Sequence, residues 1–400
     1  MMSLLDSLSS KNVWEDFYSY KSSLACPKDA LKRLRSFIDG EKYIKICDSV
    51  AECEPFPFPR KKTISKMSSS KKRTVYVYPE DENTVLKLLT YLLIRKYDVF
   101  FAEGLYSFRP GVTAKDAVRH LRRSPDIDRM YAYKVDVSDY FNSVDIDLFL
   151  PMLKDTLADD PCLFEFLSSL LTEDRVIDEG ETVCEKKGIM AGTPLSSFYA
   201  NLYLSGLDKL FCDSTISYAR YSDDIIVFAE TEEKVKEYAE KIKNYLNDMH
   251  LTVNPSKEEF FTPDTGWTFL GFFFKGGITD ISEVSFLKIK GKMRRKTRAL
   301  DRWKKRNGLD GEKAAKAFIR IFNKKLLDSP VDNELSWSYW YFSVINTTET
   351  LRLIDEYAQD CIRYLVSGKR TKARYNVRYS YIKELGYRSL VNAYYSFDKN

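Results

Sequence analysis

The sequence predicts an α+β chain, in which short strands present acidic residues and longer amphipathic helices cover them. Three observations predict it. Tyr218 to Phe228 places apolar and β-branched residues on either side of a polar step at Ser222-Asp223-Asp224, the pattern of a hairpin. Tyr131 to Asp136 reads as a second strand and ends on a carboxylate. Elsewhere apolar residues recur at helical spacing, as in Val85, Leu86, Leu88, Leu89, Leu92 and Leu93.

In chain order, residues 1–55 predict a helical extension of mixed charge. Leu4, Leu5 and Leu8, and then Ala30 to Ile38, have helical spacing there, and the segment carries no legible chemistry. Glu54-Pro-Phe-Pro-Phe-Pro59 is a break. Arg60 to Arg73 carries seven basic residues and no acid around Ser68-Ser69-Ser70, which predicts a basic hairpin. That hairpin is either an edge guarded by lysines or a lid whose cations hold a triphosphate or an RNA backbone. Glu80 to Tyr97 is the next helix. Tyr106 to Ala117 is a turn entering a helix, with Thr113 as N-cap and Asp116 as its capping-box acid. Arg109, before Pro110-Gly111, either braces this loop or reaches the site.

Gly188 to Ser197 is a glycine-bearing loop that opens a helix over Leu195 to Leu207. Its glycines permit close backbone approach, and a helix N-terminus favours an anion or a polar substrate edge. Thr231 caps a helix over Glu232 to Met249, with Val235, Tyr238, Ile242, Tyr245 and Met249 inward. Trp337, Trp340, Tyr341 and Phe342 predict core, and Leu351 to Val366 predicts an amphipathic helix.

Two adjacent carboxylates at a hairpin tip repel one another and lose hydration, so Asp223 and Asp224 call for a cation unless the turn is merely solvated. Hard oxygen ligands suit Mg²⁺ or Mn²⁺. If the strand ending at Asp136 neighbours the hairpin, the three acids can hold two divalent ions roughly 3.5–4 Å apart, the arrangement used for in-line phosphoryl displacement. One ion would lower the pKa of an attacking 3′-hydroxyl, and the other would neutralise the β- and γ-phosphates. Asp139, Asp145 and Asp147 read as turn or surface acids.

The 400 residues suffice for two or three subdomains, and 44% hydrophobic residues with 27 Tyr and 25 Phe exclude a disordered chain. Seven scattered cysteines without a CxxC pair, and only two histidines, indicate neither a disulfide framework nor a zinc site. Acids among the first twenty residues and the absence of a membrane-length apolar run predict a reduced, cytoplasmic protein without a membrane partner. The net charge of +5 is unevenly placed: Phe286 to Lys325 holds sixteen Lys and Arg against three acids, and Arg363 to Arg378 holds six against none. Both stretches predict binding to a phosphate backbone.

The ordered motifs resemble the palm of reverse transcriptases. Asp136 with Phe141, Gly192-Thr-Pro-Leu-Ser196 and Tyr221-Ser-Asp-Asp224 look like motifs A, B and C. Ser107-Phe-Arg-Pro-Gly111 is similar to a segment of group II intron-like bacterial enzymes. Leu251-Thr-Val-Asn-Pro-Ser-Lys257 and Phe269-Leu-Gly-Phe272 are similar to motifs D and E. The resemblance covers roughly residues 56 to 285. It implies a right-hand polymerase fold: an N-terminal extension at 1–55, fingers at 56–130, a palm with an antiparallel sheet at 131–285 (with a fingers-side insertion about 150–187), and a helical basic thumb at 286–400.

The resemblance also implies residue roles. Asp136, Val137, Asp223 and Asp224 would bind two Mg²⁺ ions, with Mn²⁺ as a possible substitute. Lys257 would protonate or steady pyrophosphate. Lys66, Arg73, Arg109, Phe141 and Gly192 would meet the dNTP, with Phe141 excluding a 2′-hydroxyl. Phe269, Leu270 and Gly271 would grip the primer. Arg294, Arg295, Lys296, Arg298, Arg302, Lys304, Lys305, Arg306, Lys369, Arg370, Lys372 and Arg374 would bind nucleic acid. Met190 and Ala191 stand where many relatives carry Pro and Gln, which places strict templating in question.

Thr347 to Asp355, Ile362 to Tyr364 and Leu385 to Leu390 look like the tail of the bacterial "unknown group", the defence-associated reverse transcriptases. That likeness implies an antiphage enzyme with a structured noncoding RNA as template and DNA as product, in some relatives as a homo-oligomer. Weakly templated synthesis, priming on Tyr381, Tyr387, Tyr394 or Tyr395, and a non-catalytic RNA-binding, maturase-like role are the alternatives.

Overall fold

The computed structural model describes residues 3–24, 26–65, 72–212, 216–327 and 337–397. The chain divides into two compact units, Met1–Pro263 and Asp264–Asn400. Lys66, expected at the triphosphate, lies outside the described residues.

The first unit has strands β1 (Arg60–Ser65), β2 (Lys72–Val77), β3 (Tyr131–Asp136), β4 (Arg175–Asp178), β5 (Glu181–Cys184), β6 (Tyr218–Tyr221), β7 (Asp224–Ala229) and β8 (Glu259–Phe261). They form two sheets, ordered β2-β1-β4-β5 and β6-β7-β3-β8. In the second sheet every pairing is antiparallel. β3 and β7 are its central strands and are buried on nearly every residue, which fits their Val, Ile, Tyr and Phe content. The helix Glu232–Asp248 covers one face, laying Val235, Ala239, Ile242 and Leu246 against β3 and β7. Tyr238, Tyr245 and Met249 flank that stripe at its half-buried edge.

The basic hairpin forms as expected, with β1 and β2 antiparallel from Arg60↔Val77 to Ser65↔Lys72. β4 joins β1 in parallel through Arg60↔Ile177, so the segment inserted after β3 completes the hairpin's sheet. One of the basic residues is used internally: Lys61 Nζ pairs with Glu185 at 2.5 Å and Asp178 at 3.3 Å, and Tyr76 donates to the same Glu185.

The N-terminal extension is the helices Leu4–Ser7, Lys11–Ser23, Lys28–Asp39 and Tyr43–Ala51. Trp14, Phe17, Phe37 and Tyr43 form their core, and Phe17 meets Tyr91 of the helix Glu80–Lys96. The extension is therefore part of the first unit's core.

In the second unit, β9 (Trp267–Phe269), β10 (Phe272–Lys275) and β11 (Ile278–Ile281) make a meander, and the helices Glu283–Arg306, Gly311–Leu326 and Glu349–Ser367 pack on one another. Tyr341 and Phe342 are core residues, stacked against Phe272, Tyr394 and Phe397. The buried Asp355 carboxylate accepts from Tyr387, Ser389 and the backbone of Leu390 and Val391, which ties the C-terminal helices to Glu349–Ser367. Among the described residues no helix is long and apolar enough to cross a membrane.

Candidate active site

β3 carries Asp136 at its end, and β7 begins at Asp224; the register pairs them directly, Asp136↔Asp224. β6 and β7 pair through Tyr221↔Asp224, so Ser222 and Asp223 form the two-residue turn between them. Three acids distant in sequence thereby converge. One carboxylate oxygen from each of Asp136, Asp223 and Asp224 lies within 4.8 Å of the others.

The electrostatics follow from this crowding. Burial raises the Asp223 carboxyl above its ordinary range, and the charge of Asp136 adds to the effect. Burial, then the charges of Asp223 and Asp136, pushes Asp224 up to about 6. Asp136 is 4% exposed and receives an ammonium: Lys257 Nζ lies 2.5 Å from its Oδ2. Burial acts to lower the Lys257 pKa, but the bond to Asp136 and the charges of Asp224 and Asp223 outweigh it and raise the value. A carboxylate cluster under such repulsion fits a divalent cation.

Lys257 reaches the site because of its local sequence. Asn254 starts a side-chain turn, its Oδ1 accepting from Ser256 N, and Pro255–Lys257 forms one turn of 3-10 helix. The preceding residues run beside β3: Ser138 N donates to Thr252 O, Val137 bridges Val253, and Asn254 N donates to Asp136 O. Val137 also donates to the Asp223 carbonyl at 3.3 Å, which binds the two acidic segments backbone to backbone.

Phe141 lies on the short helix Tyr140–Ser143 after Asp136, half-buried, with the Arg73 guanidinium 5.8 Å from its ring centroid. The Arg73 charge also reaches Asp223. The loop expected to contact substrate packs on these elements. Gly188 (φ 51°) sits so close that a Cβ would fall 2.5 Å from the Phe141 carbonyl, and Ile189 N donates to that carbonyl. Gly192 (φ 100°) lies against Val75 and Tyr76 of β2, where Tyr76 N donates to Ala191 O at 2.7 Å. Met190 and Ala191 are fully buried.

Several expectations change. Arg109 was placed at the dNTP, but its guanidinium forks onto Asp98 and also donates to the Ala102 and Leu105 carbonyls. It braces its own loop. The helix expected over Leu195 to Leu207 is two pieces, Ser196–Tyr203 and Ser205–Leu210. Lys304 turns inward: its side chain is 13% exposed and it donates to the Leu365 carbonyl beside Asp301. Arg374 is paired with Asp360, and Lys305 with Asp301. Arg294, Arg295, Arg298, Arg302, Arg306, Lys369, Arg370 and Lys372 remain exposed in the second unit, with Lys296 half-buried. Phe269, Leu270 and Gly271 form the β9–β10 turn there, where Gly271 (φ 89°) nestles against Ser285 and Tyr341. Of the tyrosines considered as primers, Tyr381, Tyr387 and Tyr394 bond to Glu312, Asp355 and the Ile345 carbonyl, and Tyr395 is 73% exposed.

The sequence reading passed over the support of the turn. Arg220 is fully buried and forks onto Asp208, with Nε–Oδ1 2.7 Å and Nη2–Oδ2 2.5 Å. Its remaining N–H groups reach the carbonyls of Ser222, Asn201 and Ala200. Ser222 N donates to Ser107 Oγ at 2.9 Å, Ser107 Oγ to Asn201 Oδ1, and Asn201 Nδ2 back to the Ser107 carbonyl. Ser222 has φ 59°, a conformation that a non-glycine residue holds only when its surroundings impose it. An arginine directly preceding the Tyr221–Asp224 step was the available signal.

Residues 60–274 match the family described as "Reverse transcriptase (RNA-dependent DNA polymerase)". The group II intron-encoded protein LtrA of Lactococcus lactis subsp. cremoris is 22% identical over 237 residues, covering 58% of this chain and 38% of that protein. The chain thus aligns with well under half the length of this curated relative. Among solved structures, apo telomerase from Candida tropicalis overlays with a TM-score of 0.48 at 12% identity, covering 78% of this chain and 58% of that one. Telomerase from Candida albicans, in complex with a TWJ fragment of telomeric RNA, overlays with a TM-score of 0.45 at 12% identity, covering 88% and 71%.

Proposed function

This chain belongs to the reverse transcriptase (RNA-dependent DNA polymerase) family, and from that premise we propose that it copies RNA into DNA at Asp136, Asp223 and Asp224. The observation that carries the reading is the convergence of those carboxylates within 4.8 Å. Divalent ions held by them, Mg²⁺ or Mn²⁺, would activate a primer 3′-hydroxyl and neutralise the charge on the leaving pyrophosphate.

The remaining work falls to the chain's own residues. The bond from O3′ to the α-phosphorus forms as the α–β phosphoanhydride breaks. Lys257, kept protonated by its acidic neighbours, supplies a proton or a counter-charge to the departing pyrophosphate. Phe141 lies under the sugar and excludes a 2′-hydroxyl, so that dNTPs are taken over rNTPs. Arg73, above that ring, meets the triphosphate. The exposed arginines of Glu283–Arg306 hold the phosphate backbone of the RNA template and its DNA product.

For the biological role we propose antiphage defence in the cytoplasm of a bacterium, with a structured noncoding RNA as template. The likeness of Thr347 to Asp355, Ile362 to Tyr364 and Leu385 to Leu390 to the defence-associated group supports it. The test is purification from the native host with bound nucleic acid, followed by sequencing of both RNA and DNA. A discrete RNA with complementary DNA is the expected result. Homopolymeric DNA, or DNA joined covalently to the protein, would contradict templated copying.

A further inference from the structure

We propose that the cavity between the N-terminal helix Lys11–Ser23 and the helix Glu80–Lys96 binds a backbone phosphate of the RNA strand. The proposal rests on the reading of the chain as an RNA-copying enzyme and assigns a task to the N-terminal segment. The cavity measures about 310 Å³, and its walls include Tyr20, Lys21, Lys87, Tyr91, Arg95 and Pro194. Lys21 comes from the extension, Lys87 and Arg95 from the next helix, and Pro194 from the loop that follows Gly192.

Charge makes the case. Among the described residues no carboxylate lines this cavity. Arg109, also on its wall, is already neutralised by Asp98. Lys21, Lys87 and Arg95 form no ion pair within 4 Å among the described residues. Glu80, whose charge reaches Lys87, is itself paired with Arg33 at 3.3 Å. Burial lowers the Lys21 pKa, and the Arg95 charge lowers it further. Lys87 stands at the rim with part of its side chain exposed, yet burial and then the Lys21 charge lower its pKa as well. Cations gathered without a counter-ion cost free energy that an incoming anion removes.

The shape selects the kind of anion. The Arg95 guanidinium lies 3.6 Å from the Tyr91 ring centroid and 4.6 Å from that of Tyr20, so these ring faces are covered. The cavity offers charge rather than a slot for a base, which suits a backbone phosphate read without sequence preference. Phe108 and Pro110 of its wall belong to the loop whose Ser107 holds the acidic turn, so the cavity borders the frame of the active site. A strand being copied is the polyanion that the proposed reaction brings there.

The test measures binding of a labelled single-stranded RNA to the full chain carrying Asp223→Ala, across a salt series and without dNTP. Because no chemistry is required, a chain that makes no DNA still answers it. Lys21→Ala with Lys87→Ala should weaken binding equally for unrelated sequences. The slope of log affinity against log salt should fall by about 1.4, the value for two lost contacts on a single strand. Lys21→Arg with Lys87→Arg, which keeps both charges, should restore affinity and slope and guards against a folding defect in the alanine pair. Unchanged affinity and slope in the alanine pair would overturn the proposal. So would a loss confined to competition by free dNTP, which would make the occupant a mononucleotide.

Discussion

In front of the Ser222–Asp223 turn, three carboxylates face one another with one ammonium, Lys257, beside them. Behind the turn, Arg220 and Asp208 make a fully buried pair in which every N–H of the guanidinium has an acceptor. The front is electrostatically incomplete, and its acids are held above their ordinary pKa range. The back is complete, and it fixes a residue in left-handed backbone geometry. The difference separates two tasks that lie within a few residues of each other. The back stabilises the fold, and the front accepts a cost in stability to keep a site for cations.

Substitutions on the two sides should therefore fail differently. The largest effect is expected at the front: Asp223→Ala with Asp224→Ala should lower dNTP incorporation by on the order of 10³-fold or more while RNA binding and the melting temperature are kept. Incorporation on a primed RNA template, read beside RNA affinity, checks it. At the back, Arg220→Met should destabilise the chain by about 3–5 kcal/mol, because Asp208 is left buried and unpaired. Arg220→Met with Asp208→Leu should recover much of that stability without recovering activity, since the Ser222 carbonyl still lacks its donor. Denaturation and incorporation on the same samples separate the two outcomes.

A smaller and opposite effect is expected for Asp224→Asn. The folded pKa of about 6 lies above the ordinary value of 3.8, so the native state binds more protons than the unfolded one between those values. The metal-free fold then gains stability as pH falls through 6 and bears the full cost of the charge above it. Asp224→Asn should raise stability in chelator at pH 8 by on the order of 1–2 kcal/mol, with the gain vanishing near pH 4. In the wild type, the metal concentration needed for activity should climb as pH drops below about 6, because protons compete for the same oxygens. Thermal melts in chelator and metal titrations at several pH values check the sign. Phe141→Val should act on selectivity alone, reducing discrimination against rNTPs by roughly 10- to 200-fold. Competing dNTP and rNTP incorporation measures it.

The front of the site was legible in the sequence because its chemistry is local. A strand ending in Asp136 and a turn of Ser222-Asp223-Asp224 each announce themselves by composition and need only one pairing to meet. The capping box at Thr113 and Asp116 and the cap at Thr231 were legible for the same reason. The back was not, because it is assembled from Ser107, Asn201, Asp208 and Arg220, whose roles exist only after the segments pack. Asp208 stands in a stretch, Leu204 to Leu210, that reads as an ordinary helix. Arg109 and Lys304 misled for a related reason. A cation's charge is plain in the sequence, but the carbonyls and carboxylates that capture it are not. The N-terminal helices showed amphipathic spacing but no partner, and the partner is the helix carrying Lys87 and Arg95.

Mn²⁺ binding to the full chain, followed by electron paramagnetic resonance in the absence of nucleic acid, tests the central claim most directly. Wild-type protein should take up the ion at pH 8, Asp136→Asn with Asp223→Asn and Asp224→Asn should lose that uptake, and Lys257→Ala should bind more tightly because the competing ammonium is gone. An isotherm left unchanged by the three asparagine substitutions would contradict the account.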